Sequence, residues 1–198
     1  MKTKIVFIVT VLLCMMCSTT VNAQDLKQLE KNKKVLMKQV KKDAKKQAKT
    51  LKKDGWKVAV GGAPMKTQLE ELFLMERGSS VGLKQYVIGK SEAMSESYSE
   101  ARKLAIARAK EEVASSVKTK VAALMSSSSL NIQSSGLDVE TVQKDESQAK
   151  QLVDQCLEQT QVVLELYRNV NQNTQFQIGV AYENSLAKEI LRRTLNKK

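Results

Sequence analysis

A run of alternating residues near the end of the chain places the strongest constraint on the fold. Every second residue is apolar on both sides of an Asn-rich turn at residues 169–173, and these apolar positions are Val162, Leu164, Leu166, Phe176, Ile178, Val180 and Tyr182. Successive side chains of a strand point to opposite faces of its sheet. The alternation therefore predicts an antiparallel hairpin with one apolar face and one wetter face.

The residues before the hairpin favour helices around one earlier strand. We expect a strand at 85–90, a polar turn at 91–97 and a long helix to about residue 125, in which Ala101, Ala105 and Ala109 allow a close approach to the sheet. Local signals predict further elements: a β-prone segment at 55–62, a helix from Pro64 to Arg77, a Ser-rich loop at 126–136, and helices at 139–159 and from Leu186.

This order of elements predicts the α+β class, with a small antiparallel sheet of three or four strands and helices on one face of it. We divide the chain into a signal peptide at 1–23, a basic helical arm at 24–54 and an α+β domain at 55–198.

The strand and the long helix also carry a family resemblance. The strand Tyr86–Ala93 (YVIGKSEA) leads into the Ala-rich helix Ser99–Lys110 (SEARKLAIARAK). This pair resembles the LPP-twenty family of bacterial surface lipoproteins and their secreted relatives, over roughly residues 84–182. The resemblance implies a dodecin-like β-α-β-β core at the cell envelope, often self-associating and without assigned catalytic residues.

Most of the positive charge lies in the arm. The chain has a net charge of +12, and residues 24–54 hold twelve Lys against four acids. This segment has no Gly or Pro, and its apolar residues form one helical stripe, interrupted at Lys33 and Gln47: Leu26, Leu29, Leu36, Met37, Val40, Ala44, Ala48 and Leu51. The stripe predicts an amphipathic helix.

Two interpretations of the arm stay open. In the first, the stripe packs on the body or on a second copy of the chain, and the lysines are merely solvated. In the second, the helix contacts anionic lipid or cell-wall polymer. The candidate anion-contact residues are Lys34, Lys38, Lys41, Lys42, Lys45 and Lys49.

The first residues predict export. Lys2 and Lys4 precede an apolar run at 5–16, and small residues end at Ala23 as signal peptidase requires. Cys14 and Cys17 do not match the usual surroundings of a lipidated cysteine, which favours plain cleavage and leaves lipidation as the open alternative. We expect no transmembrane anchor in the mature chain. We expect a protein of the periplasm or outer-membrane periphery, where nucleic acid is not an expected partner.

The remaining residues offer little for catalysis. The chain has no His, which removes imidazole chemistry and His-ligated metals, and it has no phosphate-binding Gly-rich loop. We predict no catalytic residue, cofactor or metal site, although Lys90 beside Ser91 is a weak candidate for a Ser-Lys pair. Cys156 falls on an apolar helical stripe, which favours a buried thiol over an intermolecular disulfide.

The predicted function is therefore that of an exported, non-enzymatic envelope protein that acts through self-association or partner binding. We expect the wetter hairpin face and the unpaired sheet edges to be the surfaces that bind a partner or a second copy. The alternative is an anion-binding module that uses the Lys-rich helix. Candidate partners are a second copy of the chain and an anionic envelope component.

Overall fold

The computed structural model describes residues 23–129, 150 and 153–184. These residues form an α+β fold, as the order of elements predicts. Its helices are α1 (Ala23–Lys53), α2 (Met65–Arg77) and α3 (Tyr98–Ser129), and a 3₁₀ turn follows α2 at Gly78–Val81. Residues 153–158 are also helical. The strands are β1 (Lys57–Val58), β2 (Tyr86–Ser95), β3 (Gln161–Val170) and β4 (Asn173–Glu183).

The four described strands form one antiparallel sheet in the order β1-β3-β4-β2. The predicted hairpin is β3 and β4, and β2, α3, β3 and β4 follow one another as β-α-β-β. The hairpin turn is tighter than expected, with only residues 171 and 172 between the strands. Asn171 adopts a left-handed backbone (φ 56°), which Asn tolerates better than most residues in a two-residue turn.

Helices cover both faces of the sheet, so the expectation of helices on one face is wrong. On one face, α3 packs on Phe176, Ile178, Val180 and Tyr182 of β4. On the other, α1 and α2 pack on a second cluster that includes Leu164, Leu166 and Ala181. The prediction that both strands share one apolar face is also wrong, because Leu164 and Leu166 of β3 point to the face opposite Phe176 and Ile178. The predicted wetter face is therefore largely buried, and the small residues Gly179 and Ala181 of β4 leave room on it for Leu164 and for Leu72 of α2.

A bulge in β3 changes the predicted alternation. The register of β3 against β4 shifts between Val162 and Leu164. As a result Val163 and Leu164 are both buried, whereas Val162, expected in the core, is 42% exposed. One extra residue in a strand shifts the phase of the side chains on either side of it.

Strand β2 is longer than the sequence predicts. It continues to Ser95, through residues that we expected to form a turn. The polar Ser91 is accommodated at the interface with α3 because its hydroxyl donates to the Ala105 carbonyl oxygen at 2.5 Å. Pairing with β4 runs without a break from Tyr86 to Ser95.

The small residues of α3 do allow a close approach, as predicted. Ala101, Ala105 and Ala109 are completely buried. Ala109 lies against Gly89 of β2, where a Cβ atom would overlap the carbonyl oxygen of Ala109. The absence of a side chain at Gly89 therefore sets the distance between helix and sheet.

Several predicted features fall wholly or partly outside the described residues. They are the signal sequence over residues 1–22, the Ser-rich loop beyond residue 129, most of the helix expected at 139–159, and the C-terminal helix expected from Leu186. Residues 126–129 of the expected loop belong to α3.

Candidate anion-binding surface

All six candidate anion-contact lysines lie on α1 and are exposed: Lys34, Lys38, Lys41, Lys42, Lys45 and Lys49. At about 100° per residue they occupy an arc of only about 100° around the helix axis. The structure therefore brings them together along one flank of a single helix.

Three further exposed lysines fall in the same arc: Lys27, Lys31 and Lys52. Together with the six they form what we call the lysine face, which extends over about 37 Å at 1.5 Å per residue. The sequence analysis identified only the six lysines in the middle of this row. Helical periodicity applied to the whole segment would have found all nine.

Burial of the apolar stripe, whose centre is roughly 115° around the helix from that of the lysine face, orients this face toward solvent. Val40, Ala44, Ala48 and Leu51 of α1 are at most 9% exposed and join the core formed with α2 and the sheet. The guanidinium of Arg77 also holds Asp43 at 2.6 Å, on the flank of α1 away from the lysine face. These contacts fix the rotation of the helix about its axis.

The charge of the lysine face is not neutralised within the described part of the protein. The ion pairs found there involve Lys66, Arg77, Lys84, Lys90 and Arg102, and none of them uses a lysine of α1. Glu30 is the acid nearest to this row and lies just outside its arc, so the nine like charges create a positive potential that attracts anions, most strongly at low salt.

The structure does not bring the side chains of Ser91 and Lys90, the weak candidate for a Ser-Lys pair, together. Neighbouring residues of a strand point to opposite faces. Accordingly the Ser91 hydroxyl points to α3, where it donates to the Ala105 carbonyl, while the ammonium of Lys90 forms an ion pair with Glu76 of α2. The sheet lies between the two groups.

The two arginines of α3 make contacts within the protein. Arg102 donates to both carboxylate oxygens of Glu165, at 2.5 and 3.1 Å. Arg108 donates to the carbonyl oxygen of Glu92 at 3.2 Å. Both side chains support the packing of α3 on the sheet, which leaves α1 as the stronger candidate for anion binding.

Cys156 is a buried thiol, as the sequence predicts, and is 1% exposed. Its Sγ donates to the Tyr182 hydroxyl at 3.0 Å. Burial raises the pKa of the thiol, although the contact with Tyr182 opposes this. Burial also raises the pKa of Tyr182. The protonated thiol is a poor nucleophile and lies out of reach of a second chain.

A small apolar cavity of about 290 Å³ lies between α2 and the start of β2. It is lined by Glu71, Leu74, Met75, Leu83, Lys84 and Tyr86. At its rim Lys84 pairs with Glu183 at 2.9 Å. The described residues contain no cluster of three or more His, Cys, Asp or Glu side chains able to hold a metal ion.

None of the helices in the described ranges is long and apolar enough to cross a membrane. No protein-family model matches the chain, and no curated protein matches it either. The resemblance of residues 84–182 to the LPP-twenty family therefore stays a prediction.

Proposed function

We propose that this protein is an exported binding protein whose lysine face attaches it to a phosphate-rich anionic surface of the cell envelope. The observation that carries the proposal is the alignment of nine exposed lysines on one flank of α1, which is anchored to the body by its apolar stripe. We propose no reaction for it.

The strength of such a contact follows from the number of lysines that reach the surface together. Each Lys near an anionic membrane contributes about 1 kcal/mol. If about half of the nine are engaged at once, the sum corresponds to a dissociation constant in the range of millimolar to high micromolar. Binding of this kind weakens steeply as salt is added.

The location in the envelope rests on the predicted signal sequence and on the family resemblance. Phosphate groups there belong to lipid head groups or to soluble and wall-linked polymers, and the lysine face suits either. Self-association through the sheet has less support, because α3 side chains occupy hydrogen-bonding groups on the outer edge of β2.

The test compares two variants of equal net charge. In the first, Lys34, Lys38, Lys41 and Lys45 of the lysine face are replaced by Gln. In the control, four exposed lysines elsewhere are replaced by Gln: Lys57, Lys103, Lys118 and Lys120. Binding to vesicles with 25% anionic phospholipid and to inorganic polyphosphate is measured at low and high salt.

We expect the face variant to lose at least tenfold in affinity for one or both ligands, whereas the control stays within about twofold. Equal losses in the two variants would show that only net charge matters. Absence of binding by the unmodified protein at low salt would also overturn the proposal.

A further inference from the structure

The apolar stripe of α1 is covered along only half of its length. In the second half of the helix, Val40, Ala44 and Ala48 are at most 5% exposed. In the first half the same stripe continues, but Leu26 is 54% and Met37 is 40% exposed. The body therefore covers the stripe completely in the second half of the helix and only in part in the first half, where Leu36 still packs against the core.

Leu29 is the last residue of the stripe, toward the start of α1, that contacts the body. Its side chain lies over Gly82, at the end of the 3₁₀ turn, and it is still 42% exposed. One turn earlier, Leu26 is more exposed again. We call Leu26, Leu29 and Met37 the open stripe.

Lysines lie both within the open stripe and on one side of it. Lys33 interrupts the stripe, between Leu29 and Leu26 around the helix, and its long aliphatic stem allows the ammonium to reach the head groups. Lys27, Lys31 and Lys34 are exposed and lie roughly 80–140° around the helix from the stripe. An apolar stripe flanked by basic residues with long aliphatic stems is the pattern of helices that lie in a lipid interface, because the stems reach up to the phosphates while the apolar side chains point down.

We propose that the first half of α1 lies in the head-group region of an anionic phospholipid bilayer, with the open stripe in contact with the acyl boundary. The inference rests on the proposed function and selects lipid as the source of the phosphate groups. A soluble polyanion would satisfy the lysines but leave the apolar side chains in water. A second copy packed on the stripe would bury the charge of Lys33, which interrupts the stripe, against an apolar surface.

The test uses variants that keep the charge constant. Leu26→Ser combined with Met37→Ser removes most of the open stripe. Leu104→Ser combined with Val60→Ser is the matched control, because Leu104 is 41% exposed on α3 and Val60 is 96% exposed in a loop. Each variant is titrated with anionic vesicles and, separately, with polyphosphate.

We expect the open-stripe variant to bind vesicles at least tenfold more weakly and polyphosphate within twofold of the unmodified protein. The control should match the unmodified protein for both ligands. Unchanged vesicle binding would overturn the inference while leaving the proposed function intact. Vesicle binding that is insensitive to the four-lysine replacement would instead contradict the proposed function for lipid.

The depth of α1 in the bilayer is measured directly with the Leu26→Trp variant and vesicles that contain brominated lipids. Lipid that carries bromine high on its acyl chains should quench the new Trp, whereas the buried Trp56 should stay unquenched. Absence of quenching on bound vesicles would overturn the inference. Light scattering on the same proteins tests whether a second copy of the chain covers the stripe instead. A dimer that dissociates in the open-stripe variant would assign the stripe to a second copy and overturn the inference.

Discussion

The backbone N–H of Lys90 donates to the carboxylate of Glu112 at 2.5 Å, on the edge of β2 that no described strand pairs with. Two residues further along the same edge, the carbonyl oxygen of Glu92 accepts from Arg108. Helix α3 thus places an acceptor and a donor against the open edge of a ten-residue strand. Unpaired edges are the usual route to strand addition between molecules.

Replacing both Glu112 and Arg108 by Ala should release this edge and promote association. We expect concentration-dependent oligomers by light scattering at concentrations where the unmodified protein shows none. Glu111→Ala combined with Lys103→Ala is the control, because both residues are exposed on α3 and neither is among the α3 residues that hydrogen-bond to β2 in the described part of the chain. Identical scattering of the two variants would mean that the edge is protected by other means.

Gly89→Ala should destabilise the protein strongly. The added Cβ would overlap the Ala109 carbonyl and press against Val113, so α3 would have to move away from the sheet. Because the obstacle is backbone, we expect a loss of at least about 3 kcal/mol, the upper end for overpacking. Urea unfolding measures it, with Ala107→Ser on the exposed side of α3 as the control; a loss below about 1 kcal/mol would contradict the packing.

The features that local periodicity determines could be predicted from the sequence. The hairpin follows from the alternation around Phe176 and Ile178, and α3 from the spacing of Ala101, Ala105 and Ala109. The position of α1 and α2 on the second face of the sheet could not be predicted, because Gly179 and Ala181 resemble a solvated face in the sequence. Only the structure shows that Leu72 and Leu164 lie against Gly179.

The lysine face shows the same limit. Its six central members could be predicted from composition, since they lie in a segment of high charge. Which side of α1 is free depends on the tertiary contacts of Val40 and Ala44 with residues of α2 and β3 that are distant in sequence. The half-covered stripe could not be predicted at all, because it depends on where the body ends.

Gln68→Leu should cost about 2–4 kcal/mol despite the added apolar volume. Gln68 is 6% exposed; its Nε2 donates to the Ala63 carbonyl at 2.7 Å, and its Oε1 accepts from the Glu165 N–H at 2.7 Å. The substitution leaves two backbone groups without these partners, at about 1–3 kcal/mol each. Thermal unfolding compared with the exposed Thr67→Leu measures the loss, and equal stability of the two variants would show that water replaces the amide.

Stability should fall above about pH 9 because of Cys156. Its pKa is raised from 9.0 by burial, so in alkali the thiol of the unfolded chain ionises first. The unfolded state then binds fewer protons than the native state, and the free energy of unfolding decreases as pH rises, by up to about 1.4 kcal/mol per pH unit for one group. Below pH 9 the thiol is protonated in both states, so its contribution to the free energy of unfolding is fully present.

Comparison with Cys156→Ala isolates this effect from the titration of the many lysines. The variant should be less stable at pH 7, because it loses the contact of Sγ with Tyr182 and buried volume. Between pH 9 and 11, however, its stability should decline less steeply than that of the unmodified protein. Urea unfolding at pH 7, 9, 10 and 11 measures both curves, and parallel curves would mean that the thiol ionises equally in the folded and unfolded states.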